Sequence, residues 1–231
     1  MPNIYIVGGY IILALIITFL EHIFYRLRWH NKLILSFKQI FEVPYTMVHE
    51  FSHAFLALVT SGKVYKMTLH YDLSGSVLNS TSNWLARVLT TYAGYTGPCL
   101  VSYLLYYFLQ NKLYDYILIS FLIMAIVSFI FIRNWYGFIW LSGFISLLIY
   151  CGLSKNEQLI MHSMMFLSAI VLVGTVYSGY RVLLISFKEP RENHDASILA
   201  KYTFLPAQFW GVIFCAQSFA SGIIIVLKFL V

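Results

Sequence analysis

Long apolar runs recur from one end of this sequence to the other, and most are long enough to cross a lipid bilayer as helices. Hydrophobic residues make up 60% of the chain and charged residues only 10%, which is too few to cover the surface of a soluble domain of this size. No polar stretch between the runs reaches the length of a domain. We therefore predict an all-α polytopic integral membrane protein that forms a single domain over residues 1–231.

The apolar runs predict about seven membrane helices, within a range of six to eight. The first run is interpreted as a retained span, because no basic segment precedes it and no small-residue cleavage site follows it. Residues 21–42 mix basic and apolar side chains, which predicts an interfacial helix, and Pro44 predicts a fresh helix start. The predicted spans cover residues 1–20, 43–60, 84–109, 116–132, 136–151, 159–187 and 205–231.

Two stretches differ from the apolar runs. Residues 63–80 carry β-favouring side chains in loose alternation, with a turn at Ser74-Gly75, and predict a short re-entrant β-hairpin directly after the helix at 43–60. Residues 188–201 form a polar segment that separates the last two spans.

The charge pattern and the cysteines exclude several classes of function. The net charge is +6, but the basic residues cluster in short loops, which is typical of anchors at an anionic membrane surface and not of nucleic-acid binding. If all seven helices cross, the basic residues divide almost evenly between the two sides, so the orientation is not predicted. Cys99, Cys151 and Cys215 lie in or beside apolar runs without metal-ligand spacing, and we predict no disulfide.

The HEFSH sequence at residues 49–53 is the motif that carries chemistry. Residues four positions apart share one face of a helix, so His49 and His53 present two imidazoles that one zinc ion can bind. Glu50 follows the first histidine and can reach a water molecule at the metal, where it would act as the general base. Two histidines and a carboxylate are costly in an apolar helix, and a metal ion would compensate for that cost. The other interpretation is that the helix ends at the membrane surface, where water solvates all three side chains.

A catalytic zinc site normally has three protein ligands and an open position for water. Spacing alone ranks Asp195, Asp72 and His162 about equally as the third ligand. Asp195 has a second interpretation as the cap of a helix that starts at Ala196. The remaining candidates are His22, His30, His70, Asp115 and His194.

Several stretches of the chain resemble the site-2-protease-like intramembrane zinc metallopeptidases, in particular their compact multi-pass M50B-like branch. The first is HEFSHAF at residues 49–55, and the second is SGSV at 74–77 after a basic β-segment. The third is AGYTGP at 93–98, and the fourth is HDASILAK at 194–201, which runs into LPA at 205–207. The Arg133-Asn134 pair also fits the pattern.

This resemblance implies a zinc metalloendopeptidase that binds one Zn²⁺ ion and cleaves transmembrane or membrane-proximal protein substrates. It implies that Asp195, the acidic residue of the matched fourth segment, joins His49 and His53 as the third zinc ligand. Many relatives carry this acidic ligand in an Asp-Gly motif, which is missing from this chain. The expected location is the cell membrane, with the lipid bilayer as surroundings, and no oligomeric state is indicated.

Three further hypotheses follow from the sequence. Gly94, Gly97 and Pro98 allow a close approach between helices, either to the metal-bearing helix or as general membrane packing. Asn134 is predicted to cap a helix rather than to bind a substrate backbone. A strand edge of the hairpin could pair with an unwound substrate, and proline at Met67 would test that pairing.

Two other functions remain open from the sequence. The chain could be a catalytically silent member of the family, acting as a membrane binding or scaffold protein. It could also be a metal transporter, although a general-base glutamate has no evident task in one.

Overall fold

The structure is a computed structural model that describes residues 4–26, 32–72 and 74–231, and the side chains within these ranges except those of 21–26 and 32–38. The described residues form eight α-helices and two strands, which confirms the predicted helical architecture with one hairpin. The elements are α1 (Ile4–Arg26), α2 (Lys32–Val59), β1 (Lys63–Leu69), β2 (Gly75–Ser80), α3 (Trp84–Gln110), α4 (Tyr114–Phe131), α5 (Trp135–Leu153), α6 (Glu157–Lys188), α7 (Asp195–Tyr202) and α8 (Ala207–Phe229).

Four of the described helices are long and apolar enough to cross a membrane, namely α4, α5, α6 and α8. The apolar part of α1, Ile4–Leu20, is shorter than these. These helices support the conclusion that the chain is a multi-pass membrane protein. The total of about seven spans stays a prediction.

Pro44 does not start a helix, as predicted, but lies inside α2, which runs without interruption from Lys32 to Val59. A proline in a helix cannot donate to the carbonyl four residues earlier, which is that of Ile40. The indole N–H of Trp140 on α5 donates to this Ile40 carbonyl at 3.2 Å and so replaces the missing donor. The predicted interfacial helix at 21–42 is therefore wrong in its bounds, since α1 extends to Arg26 and α2 begins at Lys32; residues 27–31 lie outside the described residues.

Helix α6 is the central element, and α8, α1, α3 and α2 all pack against it. Small residues bring α6 and α8 close together. A Cβ built on Gly179 would lie 2.6 Å from the Ser218 side chain, and one built on Gly211 would overlap the Ser186 hydroxyl. Close packing of backbones is the main source of helix association in an apolar environment, so these glycines hold α8 against the centre of the fold.

The predicted hairpin at 63–80 is present as the antiparallel pair β1 and β2, with a bulge between Val64 and Lys66. The turn between α4 and α5 covers the outer edge of β1. The Arg133 N–H donates to the Met67 carbonyl at 3.0 Å, and Met67 forms a parallel bridge with Ile132. Proline at Met67 would therefore disturb this contact and would not isolate an effect on substrate.

Asn134 stands at the start of α5, but its side chain makes no capping hydrogen bond, contrary to the prediction. Its amide nitrogen donates to the Leu69 carbonyl at 2.5 Å, and its amide oxygen accepts from the Leu69 N–H at 3.2 Å. A primary amide presents one donor and one acceptor side by side, which matches the two unpaired backbone groups of an edge-strand residue. Asn134 thus ties β1 to the body of helices.

The hydrogen-bond pattern determines which edge of the hairpin is open. Met67 and Leu69 direct their backbone groups toward residues 132–134, so the alternate residues of β1 bond to β2. Met67 is paired with Val77 and Leu69 with Gly75. Gly75 and Val77 must therefore direct their backbone N–H and C=O groups to the far side of β2, where the two-stranded sheet ends among the described residues.

Candidate metal centre

His49 and His53 lie one turn apart on α2, as predicted, and face into the protein. Their Nε2 atoms are 3.2 Å apart, and their rings meet edge to face with centroids 4.8 Å apart. His53 is buried, whereas His49 is partly exposed. The spacing of the motif therefore brings two nitrogen donors to one point.

Helix α3 makes room for these two rings with glycine. A Cβ built on Gly94 would overlap Nε2 and Cε1 of His53 and lie 2.9 Å from Cε1 of His49. One built on Gly97 would overlap the Ser52 hydroxyl on the same helix face of α2. The AGYTGP segment thus packs against the metal-bearing helix, which favours the first of the two interpretations of these glycines. Tyr95 of this segment sets its ring edge to face against His49, with centroids 5.1 Å apart.

The backbone of α3 also orients one imidazole. The Thr90 carbonyl lies 2.7 Å from Nδ1 of His53. Because a carbonyl can only accept, Nδ1 carries the proton and the Nε2 lone pair is free to bind a metal ion. A metal-ligating histidine commonly has a hydrogen-bond acceptor of this kind at its other nitrogen.

Asp195 is the first residue of α7, and its carboxylate reaches both histidines. Its Oδ2 atom lies 3.3 Å from Nε2 of His49 and 3.4 Å from Nε2 of His53. The interpretation of Asp195 as a helix cap is wrong, because the cap is His194, whose Nδ1 accepts from the Ser197 N–H. The Asp195 side chain is therefore free for the centre.

The three donor atoms fit a zinc ion. Donors of a tetrahedral zinc site, at metal–ligand distances of about 2.0–2.1 Å, lie about 3.3–3.4 Å from one another. The observed separations of 3.2, 3.3 and 3.4 Å match that arrangement. Two imidazoles and one carboxylate form a common ligand set for catalytic zinc, and a tetrahedral ion held by three protein donors retains one position for water.

The alternative third ligands lie elsewhere. Asp72 is exposed at the hairpin turn and accepts from the N–H and hydroxyl of Ser74, and the hydroxyl contact lowers the pKa of its carboxyl group. His162 bonds through Nδ1 to the Tyr10 hydroxyl on α1 at 3.0 Å, and His70 is exposed. Of the described His, Cys, Asp and Glu side chains, only His49, His53 and Asp195 are close enough to share a metal ion. The His22 side chain and His30 lie outside the described residues.

Glu50 lies beside the hairpin and is 4% exposed. A Cβ built on Gly75, the first residue of β2, would lie 2.6 Å from the Glu50 Cγ and 2.8 Å from its Cδ. The absence of a side chain at Gly75 therefore lets the start of β2 rest directly on the Glu50 carboxyl group. The strand with the open edge therefore begins at a residue that contacts the predicted general base.

Comparison with known proteins decides the family. The model of the Peptidase M50B-like family matches residues 6–225, which is nearly the whole chain. The chain belongs to this family. No curated protein and no solved structure gives a significant match. Membership in the M50B-like family supports the interpretation of the chain as a site-2-protease-like protein, and the resemblance seen in the sequence is confirmed.

In this M50B-like chain, two residues of α3 hold the far end of α7, and no local sequence pattern predicts their contacts. The Trp84 indole N–H donates to the Tyr202 carbonyl at 2.5 Å. Arg87 donates to the Tyr202 hydroxyl at 2.6 Å, and its guanidinium lies 4.8 Å from the centre of the Tyr202 ring. Because α7 begins at Asp195 and ends at Tyr202, this contact fixes the helix that carries the acidic side chain. Residues so distant along the chain carry no local signal of it.

Arg87→Gln is expected to weaken zinc binding by up to about fivefold. The variant removes a hydrogen bond and a ring contact worth about 1 kcal/mol together at an exposed position, so α7 docks less firmly. Since Asp195 can reach the zinc ion only when α7 is docked, zinc affinity falls when docking weakens. Chelator competition on the purified protein measures the change. Lys228→Gln is the matched control, because Lys228 also bonds a tyrosine hydroxyl, that of Tyr103, away from α7. Equal zinc affinity in Arg87→Gln and wild type would contradict this role.

Proposed function

We propose that this chain is an intramembrane zinc metalloprotease that hydrolyses peptide bonds of membrane-protein substrates in or near the bilayer. His49, His53 and Asp195 hold the zinc ion, and Glu50 is the general base. The observation that carries the proposal is the meeting of three zinc-compatible donors beside a glutamate that packs against Gly75, the first residue of the strand with the open edge. We further propose that residues 1–231 act as a single domain in the cell membrane.

A bound zinc ion supplies Lewis-acid chemistry, which polarises the attacking water and stabilises developing negative charge on the peptide oxygen. Glu50 accepts a proton from the water while the water oxygen forms a bond to the peptide carbon. The C–N bond then breaks, and Glu50 returns the proton to the leaving nitrogen, so that an acid and an amine are formed. The Thr90 carbonyl keeps the His53 imidazole in the orientation that directs Nε2 to the centre.

The open edge of β2 is the surface on which we propose that the substrate binds. A peptide bond within a transmembrane helix is covered by helical hydrogen bonds, so the substrate must be extended before hydrolysis. An extended segment can pair with the outward N–H and C=O groups of Gly75 and Val77. Because Gly75 rests on Glu50, pairing there brings a substrate carbonyl close to the general base. The edge of β1 serves poorly, since residues 132–134 already cover it.

Val77→Pro is expected to lower cleavage about tenfold while zinc content stays unchanged. Proline removes the outward N–H of an edge strand without removing a hydrogen bond to β1, and the loss of one strand hydrogen bond costs about 1 kcal/mol or more. Cleavage rates and zinc content of the purified protein measure the effect. Val77→Ala keeps the N–H and is the matched control. Wild-type cleavage by Val77→Pro would refute pairing on β2.

The proposed function is tested by comparing membrane-protein fragments in cells that carry wild type or Glu50→Gln. Proteolysis predicts fragments that disappear in the variant, with zinc bound by both purified proteins. A zinc-containing wild type without any Glu50-dependent fragment would instead indicate a catalytically silent member of the family. A wild type without zinc would contradict the metal centre itself.

A further inference from the structure

The two faces of β2 differ in the space that they leave beside the strand. Successive residues of a strand direct their side chains to opposite faces, so Gly75 and Val77 belong to one face and Ser76 to the other. The face of Gly75 and Val77, here called the inner face, looks toward α2, where Gly75 packs against Glu50 and Val77 is partly buried against the core. Ser76 is exposed on the outer face, and its hydroxyl bonds that of Thr68 on β1 at 2.8 Å.

A substrate strand that pairs with β2 continues both of these faces. The added strand lies about 4.8 Å beyond β2, and two residues directly opposite each other on neighbouring strands place their side chains on the same face. The substrate residue opposite Gly75 therefore directs its side chain to the inner face, at the level of Glu50. The two substrate residues that flank it direct their side chains to the exposed outer face, on the side of Ser76.

The inner face is already filled by catalytic groups at this level. The Glu50 carboxyl group occupies the place that a side chain at Gly75 would take. His49 directly precedes Glu50 on α2, and α3 closes the other side of the histidine pair, because a Cβ built on Gly94 would overlap His53. A large substrate side chain on the inner face would lie between the substrate backbone and the groups that must reach its carbonyl carbon. A small side chain leaves that path free.

We propose that the protein selects membrane segments in which the residue paired with Gly75 is glycine, alanine or serine, whereas the residues on either side of it can be large. The paired residue is one of the two that flank the cleaved bond, because Gly75 packs against the general base. This inference rests on the proposed function and deepens it by naming the class of substrate. The expected cleavage site therefore has one small residue on one side of the bond and no size limit on the other.

Synthetic transmembrane peptides with alanine or phenylalanine at each position of a central segment test this selection. The full detergent-purified chain with zinc bound is incubated with the peptides, and mass spectrometry identifies the bonds that wild type cleaves and Glu50→Gln does not. Phenylalanine at one of the two flanking positions is expected to lower the cleavage rate about 10–100-fold, as overfilling of a packed site does. Phenylalanine at the other flanking position should leave the rate nearly unchanged. Helix stability cannot cause such a loss, because phenylalanine favours a helix less than alanine does.

Ser76→Glu tests the outer face in the same assay. Its carboxylate would stand beside the outward side chain of the substrate residue opposite it, so a peptide with lysine at that position should be cleaved about two- to fivefold faster, relative to alanine, than by wild type. Ser76→Ala is the matched control, because it also loses the hydrogen bond to Thr68 but adds no charge. The position that requires a small residue should be the same in both variants.

The possible results separate this inference from the proposed function. Cleavage that tolerates phenylalanine at both flanking positions would overturn the inference and leave the proposed proteolysis standing. An equal loss at both positions would also overturn it, because the two faces of the substrate strand would then not differ. Ser76→Glu without any preference for lysine would place the substrate away from β2. The absence of any Glu50-dependent cleavage would contradict the proposed function and this inference together.

Discussion

Glu50→Gln is expected to lower the rate of peptide hydrolysis by about 10²–10⁴-fold, the usual contribution of a general base. Glutamine has nearly the same shape as glutamate but cannot accept a proton from water at neutral pH. The zinc content should stay at the wild-type level, because Glu50 is not one of the three donors that meet at the centre. Cleavage of a membrane-protein substrate by the purified variants, together with their zinc content, measures both parts of this expectation.

Glu42→Gln is the matched control for this variant. Glu42 lies on the same helix α2, and it is also buried, at 8% exposure against 4% for Glu50. It precedes His49 by nearly two turns and does not belong to the cluster of donors. Any loss of activity from placing an amide in α2 would appear in both variants. If Glu50→Gln cleaved at the rate of Glu42→Gln, the assignment of the general base would be wrong.

The second large effect is expected for Asp195→Asn, which should weaken zinc binding by more than 100-fold. The change removes the only anionic donor among the three, and even the residues that merely orient zinc ligands contribute 10–100-fold to affinity. The variant should still fold, because the start of α7 is capped by His194 and Ser197 and not by the Asp195 side chain. Competition with a chelator of known affinity measures the loss.

Asp72→Asn is the control for Asp195→Asn, and it also tests the rival ligand. Asp72 bonds Ser74 within the hairpin turn, so its replacement should leave zinc affinity at the wild-type value. The opposite outcome, with zinc lost from Asp72→Asn and retained by Asp195→Asn, would assign the third ligand to the hairpin. His162→Gln separates the remaining alternative, since His162 bonds Tyr10 on α1 and should not affect the metal.

The two histidines and Glu50 could be predicted from sequence because a helix repeats every 3.6 residues. His49 and His53 must share a face on any α-helix, whatever surrounds it. The apolar runs and the hairpin were likewise predictable, since both depend on local composition and local periodicity. Asp195 differs, because it stands 142 residues after His53 and reaches the centre only through the packing of α7. Spacing left it level with Asp72 and His162, and only the family resemblance favoured it.

Contacts between distant elements also decided the details that local reasoning misjudged. Local reasoning places a helix boundary at Pro44, because proline has no N–H to donate. In the fold, the Trp140 indole donates to the Ile40 carbonyl that Pro44 leaves unpaired, so the helix continues. An asparagine before a helix is expected to cap it, yet the side-chain amide of Asn134 bonds the backbone N–H and C=O of Leu69 instead. In both places a hydrogen-bonding group from another element satisfied a backbone group that the sequence alone leaves unpaired.

The sequence by itself determined the class of protein, the helical face that carries His49 and His53, and the position of the hairpin directly after it. Each of these follows from short-range geometry along one chain segment. Only the tertiary structure decided that Asp195 completes a three-donor centre, that Gly75 rests on Glu50, and that β2 has the open edge. These depend on which helices pack together, and that packing is set by close contacts between side chains far apart in sequence.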